Sequence, residues 1–247
     1  MSHRFFLPPT AWSDGQVHLD AALAHQIAHV LRLRPGAHVV VFDNSGLEYE
    51  VELNEVRSDR VTGRVCAQYH VHTEPSVSLS LYAAVLKGDK FEWVLQKGTE
   101  LGVHCFVPII SERTVVRDPA QIEDKRKRWE RIIQEAAEQS GRVRLPILAA
   151  PLLLQAAMTQ SMAQNDLSLL PSPGLSAPSP ADRLNGRSTP SHIGLFIGPE
   201  GGFSAAEVTQ AQAAGLLSVS LGPRILRAET ASIVAVALTM AALRELQ

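Results

Sequence analysis

The spacing of hydrophobic and polar positions changes once along the chain. Up to about residue 72, apolar and polar residues alternate over short runs, as in LEYEVELNEV at 47–56 and RVTGRVCAQ at 60–68, with turn residues at 43–46 and near 58–59. Alternation with period two between turns predicts half-buried strands. One helix interrupts them, capped by Asp20 and running through Leu31 before Pro35 and Gly36. This part of the chain reads as a small β-barrel with one helix. From residue 79 onward the apolar runs are continuous: LSLYAAVL at 79–86, HCFVPII at 104–110, LPILAA at 145–150, LSLL at 167–170, IGLFI at 193–197 and LLSVSL at 216–221. Helical stretches separate most of them. Unalternated strands joined by helices are the pattern of a parallel sheet covered on both faces, so the fold class is α/β. The polar joint at 73–77, with Pro75, sets the expected boundary between domains of residues 1–74 and 75–247.

The last third repeats one arrangement twice. IGLFI runs into GPEGG at 198–202, and Ser204 with Glu207 has the S-x-x-E spacing of a capping box that opens a helix reaching about Gly215. LLSVSL then runs into GPRILRAE at 222–229, followed by a helix over 230–246. Crossover helices bring parallel strands back in the same direction, so both loops leave the carboxyl edge of the sheet, where open α/β sheets bind ligands. Neither loop has the Gly-Lys-Ser/Thr ending of a phosphate-binding loop or the G-x-G-x-x-G spacing, which argues against a nucleoside triphosphate and against a nicotinamide dehydrogenase. Glycines that merely make tight turns are the plain alternative. Glu200, Arg224, Arg227 and Glu229 on the paired loops favour a ligand site.

Composition narrows the classes. With 45% hydrophobic and 19% charged residues the chain is an ordinary globular protein, and its net charge of −2 gives no global basic field. Any nucleic-acid contact must therefore rest on local arginines, whose planar forks match phosphate oxygens. Cys66 and Cys105 have no zinc or disulfide spacing, and residues 1–10 lack a signal-peptide core, so a cytoplasmic location is expected. The longest apolar run, 233–243, contains Thr239 and is far below the roughly 20 residues needed to cross a membrane. It reads as a helix buried nearly all round. His25, His29 and Arg32 share a helix face, but two histidines without a third ligand do not make a metal site. That face is either solvated or, with Arg34, a phosphate contact. The KRKR run within a long helix over 121–140 reads as a solvated face, while Arg113, Arg117, Arg142 and Arg144 flank it as phosphate candidates. The proline- and serine-rich stretch 171–191 reads as a flexible surface loop.

GPEGGFS together with LGPRILRAETA, supported by ELGV, SER and EAAEQSGR, resembles the signature of the bacterial small-subunit (16S) ribosomal RNA uracil-N3 methyltransferases, the RsmE family of the SPOUT class. The likeness covers most of 87–246. It implies a C-terminal SPOUT trefoil-knot domain with a parallel sheet, an N-terminal PUA-like β-barrel that binds RNA, S-adenosyl-L-methionine as cofactor, and a homodimer. Its substrate is 16S rRNA or the small ribosomal subunit, with no metal and no membrane. The cofactor would rest on Leu170, Gly198, Pro199, Glu200, Gly201, Gly202, Leu221, Gly222, Ile225 and Leu226. Arg227 would stabilise charge on the uracil oxygens, and Glu229 would orient that arginine, act as base, or serve only as a favourable charge at a helix N-terminus. RNA would meet Arg4, Arg32 and Arg34 in the barrel and Arg113, Arg117 and Arg142 near the sheet edge. Methylation of another RNA position such as the ribose 2′-OH, or non-catalytic RNA binding, are the competing readings.

Overall fold

In the computed structural model, which describes residues 3–13, 15–172, 177–186 and 188–246, the alternating segments of the first part pair into one curled sheet. Its elements are β1 (Arg4–Phe6), β2 (Trp12–Ser13), β3 (Gln16–Leu19), α1 (Ala21–His25), β4 (His38–Phe42), β5 (Leu47–Val56) and β6 (Val61–His70). The strand order is β1-β4-β5-β6-β3-β2, antiparallel except for β1 beside β4. Register shifts at Glu50/Val51 and Leu53/Glu55 bend the long β5–β6 pair. Phe5, Val17, Val39, Val41, Val51, Leu53 and Val61 fill its inside, with Ala24 and Ile27 packed against them. Along β5, Glu48, Glu50 and Glu52 meet Arg4, His38 and Arg64 instead. The expected barrel takes the form of a curled sheet whose end strands, β1 and β2, do not pair with each other among the described residues.

Asp20 caps α1 by accepting from the Leu23 amide at 2.9 Å. The helix then widens into a π turn over Gln26–Val30 and ends at its C-cap Leu31, as expected, where Arg32 takes a left-handed φ of 54°.

The chain folds as two compact units, the first made of Met1–Glu74 with Ala137–Leu145 and the second of Pro75–Ala136 with Pro146–Gln247. In the first unit Ala137 and Val143 pack on Phe42, and Phe6, Val71 and Leu145 close that cluster. Arg142 is only 4% exposed. Its Nη2 donates to Glu74 Oε2 at 2.7 Å, and the Val143 and Arg144 amides donate to Glu74 Oε1 at 3.1 and 3.2 Å. Arg4 pairs with Glu48 and donates to the Arg142 carbonyl at 3.2 Å. Both arginines therefore face protein acceptors rather than open solvent.

The second unit holds β7 (Ser78–Ala84), α2 (Lys90–Glu100), β8 (Cys105–Ile110), α3 (Pro119–Glu123), most of α4 (Arg126–Ser140), β9 (Ile147–Leu148), β10 (Leu152–Leu153), α5 (Leu154–Gln164), β11 (Leu167–Pro171), α6 (Pro180–Leu184), β12 (His192–Ile197), α7 (Ala205–Ala213), β13 (Leu217–Val219) and α8 (Ala228–Ala242). The sheet is parallel throughout, in the order β10-β8-β7-β12-β11-β13, with β9 also on β8. One core beneath it joins Leu79, Leu95, Phe106, Trp129 and Ile193 with Val236 and Met240 of α8; another joins Tyr82, Met158, Leu170 and Phe196.

Local expectations differ in four places. The helix over 121–140 breaks into α3 and α4, because Lys125 donates to the Ile122 carbonyl three residues back and tightens the turn. The run at 145–150 holds the two-residue β9, and a second short strand, β10, follows Pro151. Within 171–191, whose residues 173–176 and 187 lie outside the described set, Ser179 and Asp182 form a capping box that starts α6. In α8, Ala235, Val236 and Met240 are buried while Val234, Ala237 and Leu238 remain partly open, so the helix has an outer apolar face. No helix among the described residues is long and apolar enough to cross a membrane.

Removing one partner of a buried, hydrogen-bonded ion pair leaves the other charge uncompensated. Arg142→Met is expected to destabilise the protein by about 3 kcal/mol in denaturant unfolding, and pairing it with Glu74→Gln is expected to cost less than the two single losses summed.

Candidate functional site

Parallel pairing places three strand ends side by side. β11 pairs with β12 through Leu167 opposite Ile193 to Leu169 opposite Leu195, and with β13 through Leu169 opposite Leu217 to Pro171 opposite Val219. The end of β11 therefore lies between the two glycine loops.

The first loop is shaped by its own backbone. The Gly202 amide donates to the Pro199 carbonyl at 2.8 Å, and Gly202 takes a φ of +66°. A Cβ on Gly198 would lie 3.0 Å from the Phe203 amide nitrogen, a tight contact that the backbone of the turn would have to ease. Ser204 then caps α7: Ser204 Oγ accepts from the Glu207 amide at 3.3 Å, and Glu207 Oε2 accepts from the Ser204 amide at 2.8 Å. In the second loop Gly222 has a φ of +106°, its amide donates to Ser220 Oγ at 3.2 Å, and Arg227 is the residue before α8.

Between these loops lies a cavity of about 420 Å³. Its walls are residues 198–202 and Phe203 on one side, Ile225, Leu226, Ala228 and Ala231 on the other, and Pro171 and Ser172 at the end of β11. A smaller space of about 70 Å³, bounded by Leu221, Gly222 and Arg224, shares Pro171, Ser172, Leu226 and Ala231 with it. Of the residues expected to hold a cofactor, Gly198, Pro199, Glu200, Gly201, Gly202, Ile225 and Leu226 line the larger space, and Leu221 and Gly222 the smaller. Leu170 is 1% exposed in the core beneath, and the next two residues take the lining position. Local pattern has no means of finding Pro171, Ser172 or Ala231; only the order of strands brings them here.

The charged residues are dispersed. Arg227 is exposed, and Glu229 is half-buried with an Oε2 that is enclosed and has no hydrogen-bond partner. Among the described residues no ion pair joins the two. Arg113 reaches the cavity wall and donates from Nη1 to the Gly201 carbonyl at 2.8 Å, while Arg117 is turned onto the Thr114 and Glu112 carbonyls. Arg32 and Arg34 are exposed in the first unit, next in sequence to the paired His25 and His29 rings, whose centroids lie 4.7 Å apart. Glu200 Oε1 accepts from the Lys87 amide at 3.2 Å and lies 3.5 Å from Lys90 Nζ. Burial works to raise the Glu200 carboxyl, but its own amide, that of Lys87 and the Lys90 charge outweigh burial and hold it below the ordinary value. Among the described residues no three His, Cys, Asp or Glu side chains gather as a metal site.

A parallel α/β unit with a ligand-sized cavity between two strand-end loops defines a class of binding domain, and comparison identifies it. Residues 73–240 match the family described as an RNA methyltransferase domain, and residues 19–66 the RNA methyltransferase PUA domain. The chain is 36% identical over 237 residues to ribosomal RNA small subunit methyltransferase E of Synechocystis sp., covering 96% of this chain and 77% of that protein. It is 34% identical to the protein of the same name from Bacillus subtilis, covering 85% and 84%. Among solved structures it is similar to one from Legionella pneumophila in complex with bound SAM, at TM-score 0.89 and 32% identity over 98% of each chain. A ribosomal RNA small subunit methyltransferase E of Neisseria gonorrhoeae bound to S-adenosyl methionine superposes at TM-score 0.84 with 30% identity, again over 98% of each. The chain belongs to the ribosomal RNA small subunit methyltransferase E family.

Because the folded Glu200 carboxyl lies below its ordinary value of 4.5, its hold on Lys87 is present above that value and is lost as pH falls through the lowered one. Glu200→Gln is expected to remove this pH dependence and to speed exchange of the Lys87 amide at neutral pH, read by hydrogen exchange.

Proposed function

We propose that the protein transfers a methyl group from S-adenosyl-L-methionine to N3 of a uridine in 16S rRNA, acting in the cytoplasm on the free RNA or the small ribosomal subunit. The observation that carries this reading is the cavity of about 420 Å³ shared by the two glycine loops, within the usual size of small-molecule sites. The residues suit the cofactor: the walls are mainly glycine-rich backbone and apolar side chains, which admit an adenosine and a methionyl chain closely. Gly198–Gly202, Leu221, Gly222, Ile225 and Leu226 would hold it, with Leu170 supporting them from below. When bound, it supplies an electrophilic methyl on a sulfonium that departs as a neutral thioether.

The chain's own residues have two tasks. They align the base against the cavity mouth, and they manage the proton that uracil N3 carries at neutral pH. Glu229 accepts that proton, and Arg227, the residue before α8, stabilises the charge that spreads onto O2 and O4. Exposed Arg32 and Arg34, and Arg117 in the second unit, supply the local positive charge for RNA that a net charge of −2 does not, with His25 and His29 as neighbouring hydrogen-bonding groups. Two architectural features come with the same reading: a C-terminal trefoil knot, and a homodimer through the outer face of α8.

Incubation with S-adenosylmethionine and small-subunit rRNA, followed by mass analysis of nucleosides, is expected to yield 3-methyluridine; a 2′-O-methyl product or RNA binding without transfer would overturn the assignment. Arg227→Ala is expected to slow single-turnover transfer about a hundredfold with both ligands saturating. Light scattering is expected to give twice the 26.8 kDa chain mass, and replacing Leu238 by Glu should shift it toward one.

A further inference from the structure

A loop built from Gly198, Gly201 and Gly202 has almost no side chains of its own to fix it, and glycine loses more conformational freedom on ordering than any other residue. Its rigidity must come from neighbouring segments. The loop after β8 supplies two grips within adjacent residues: the Glu112 amide donates to Glu207 Oε1 at 2.7 Å, and Arg113 Nη1 donates to the Gly201 carbonyl at 2.8 Å. That loop is itself braced, since the Ser111 amide donates to Thr114 Oγ1 at 2.9 Å and Arg117 Nε to the Thr114 carbonyl at 2.8 Å. Glu207 is thus shared, with one oxygen on the α7 cap and the other on the β8 loop.

We infer that Arg113 is a positioning residue for the cofactor loop, acting through the Gly201 carbonyl, rather than a contact for RNA phosphate. The inference rests on the proposed use of S-adenosylmethionine at this cavity. Arg113 lines that cavity, and a Cβ on Gly201 would meet nothing nearer than Arg113 Cδ at 3.3 Å, so this side chain is what packs against the open side of the loop. A hydrogen bond from a charged donor holds a carbonyl more firmly than a neutral one. Holding it sets the direction of the peptide that follows, and hence of the backbone groups offered to a ligand. Nη1 is committed to this carbonyl, so a phosphate contact would fall to the remaining donors of the guanidinium.

The two roles separate by measurement. Arg113→Met keeps the length of the side chain and removes its donors; it is expected to weaken S-adenosylmethionine and S-adenosylhomocysteine alike by roughly tenfold in calorimetry. It should raise KM for the cofactor while leaving kcat at saturation within about twofold, and leave the affinity for 16S rRNA without cofactor, and its salt slope, unchanged. Arg113→Lys, which restores one charged donor, is expected to recover most of the affinity. Gly201→Ala displaces the same side chain, so combining it with Arg113→Met should add little to either loss, and Arg113→Gln, read for the same affinities, carries the test if Arg113→Met does not fold. Unchanged cofactor affinity in folded variants, additive losses, or a fall in RNA affinity with a shallower salt slope would each overturn the inference while leaving the proposed reaction standing. A wild-type protein that binds no S-adenosylmethionine would overturn both.

Discussion

The parallel pairing of β11 with β12 on one side and β13 on the other sets the distance between the two glycine loops, because neighbouring strands lie about 4.8 Å apart and the loops leave strands separated by one intervening strand. That leaves roughly 10 Å between their roots. Pro171 and Ser172, at the end of the intervening strand, close the floor of the gap, and both cavities share them. The apolar runs that make β11 and β12 are buried on both faces, which fixes their height in the sheet and so the height of what is attached to their ends.

The loops need more than this spacing. Glycine lets the chain turn sharply after β12 but contributes no packing, so segments far away in sequence hold the turn. Glu200 ties it to the start of α2 through Lys87 and Lys90, and Glu207 and Gly201 tie it to the loop after β8 through Glu112 and Arg113. Charged groups that look like substrate contacts in the sequence are engaged in holding the backbone.

The same use of charge runs through the first unit. Glu48, Glu50 and Glu52 follow the strand period on one face of β5 and meet Arg4, His38 and Arg64, while the Arg142 guanidinium closes on Glu74. An acidic strand face of this kind repels phosphate. Arg32 and Arg34, near the π turn, are exposed, and in the proposed reading they give a slightly negative chain its local attraction for RNA.

The sequence by itself determined what depends on near neighbours in the chain. The period of the apolar runs separated a curled sheet from an α/β unit, the S-x-x-E spacing located the cap of α7, and the glycines marked both loops, since propensity, capping and turn chemistry act over a few residues. It did not determine strand order, which depends on which runs meet in space; hence Pro171 and Ser172 are not legible in it, and Leu170, the lining residue it suggests, lies in the core just below them. The break between α3 and α4 left no mark in the apolar pattern. Partners decided the remaining charges: Arg113 meets Gly201 across 88 residues and Arg142 meets Glu74 across 68. An arginine's reach and preference for oxygen are written in its side chain, but whether the oxygen belongs to phosphate, carboxylate or backbone is decided only when folding brings one of them within about 3 Å.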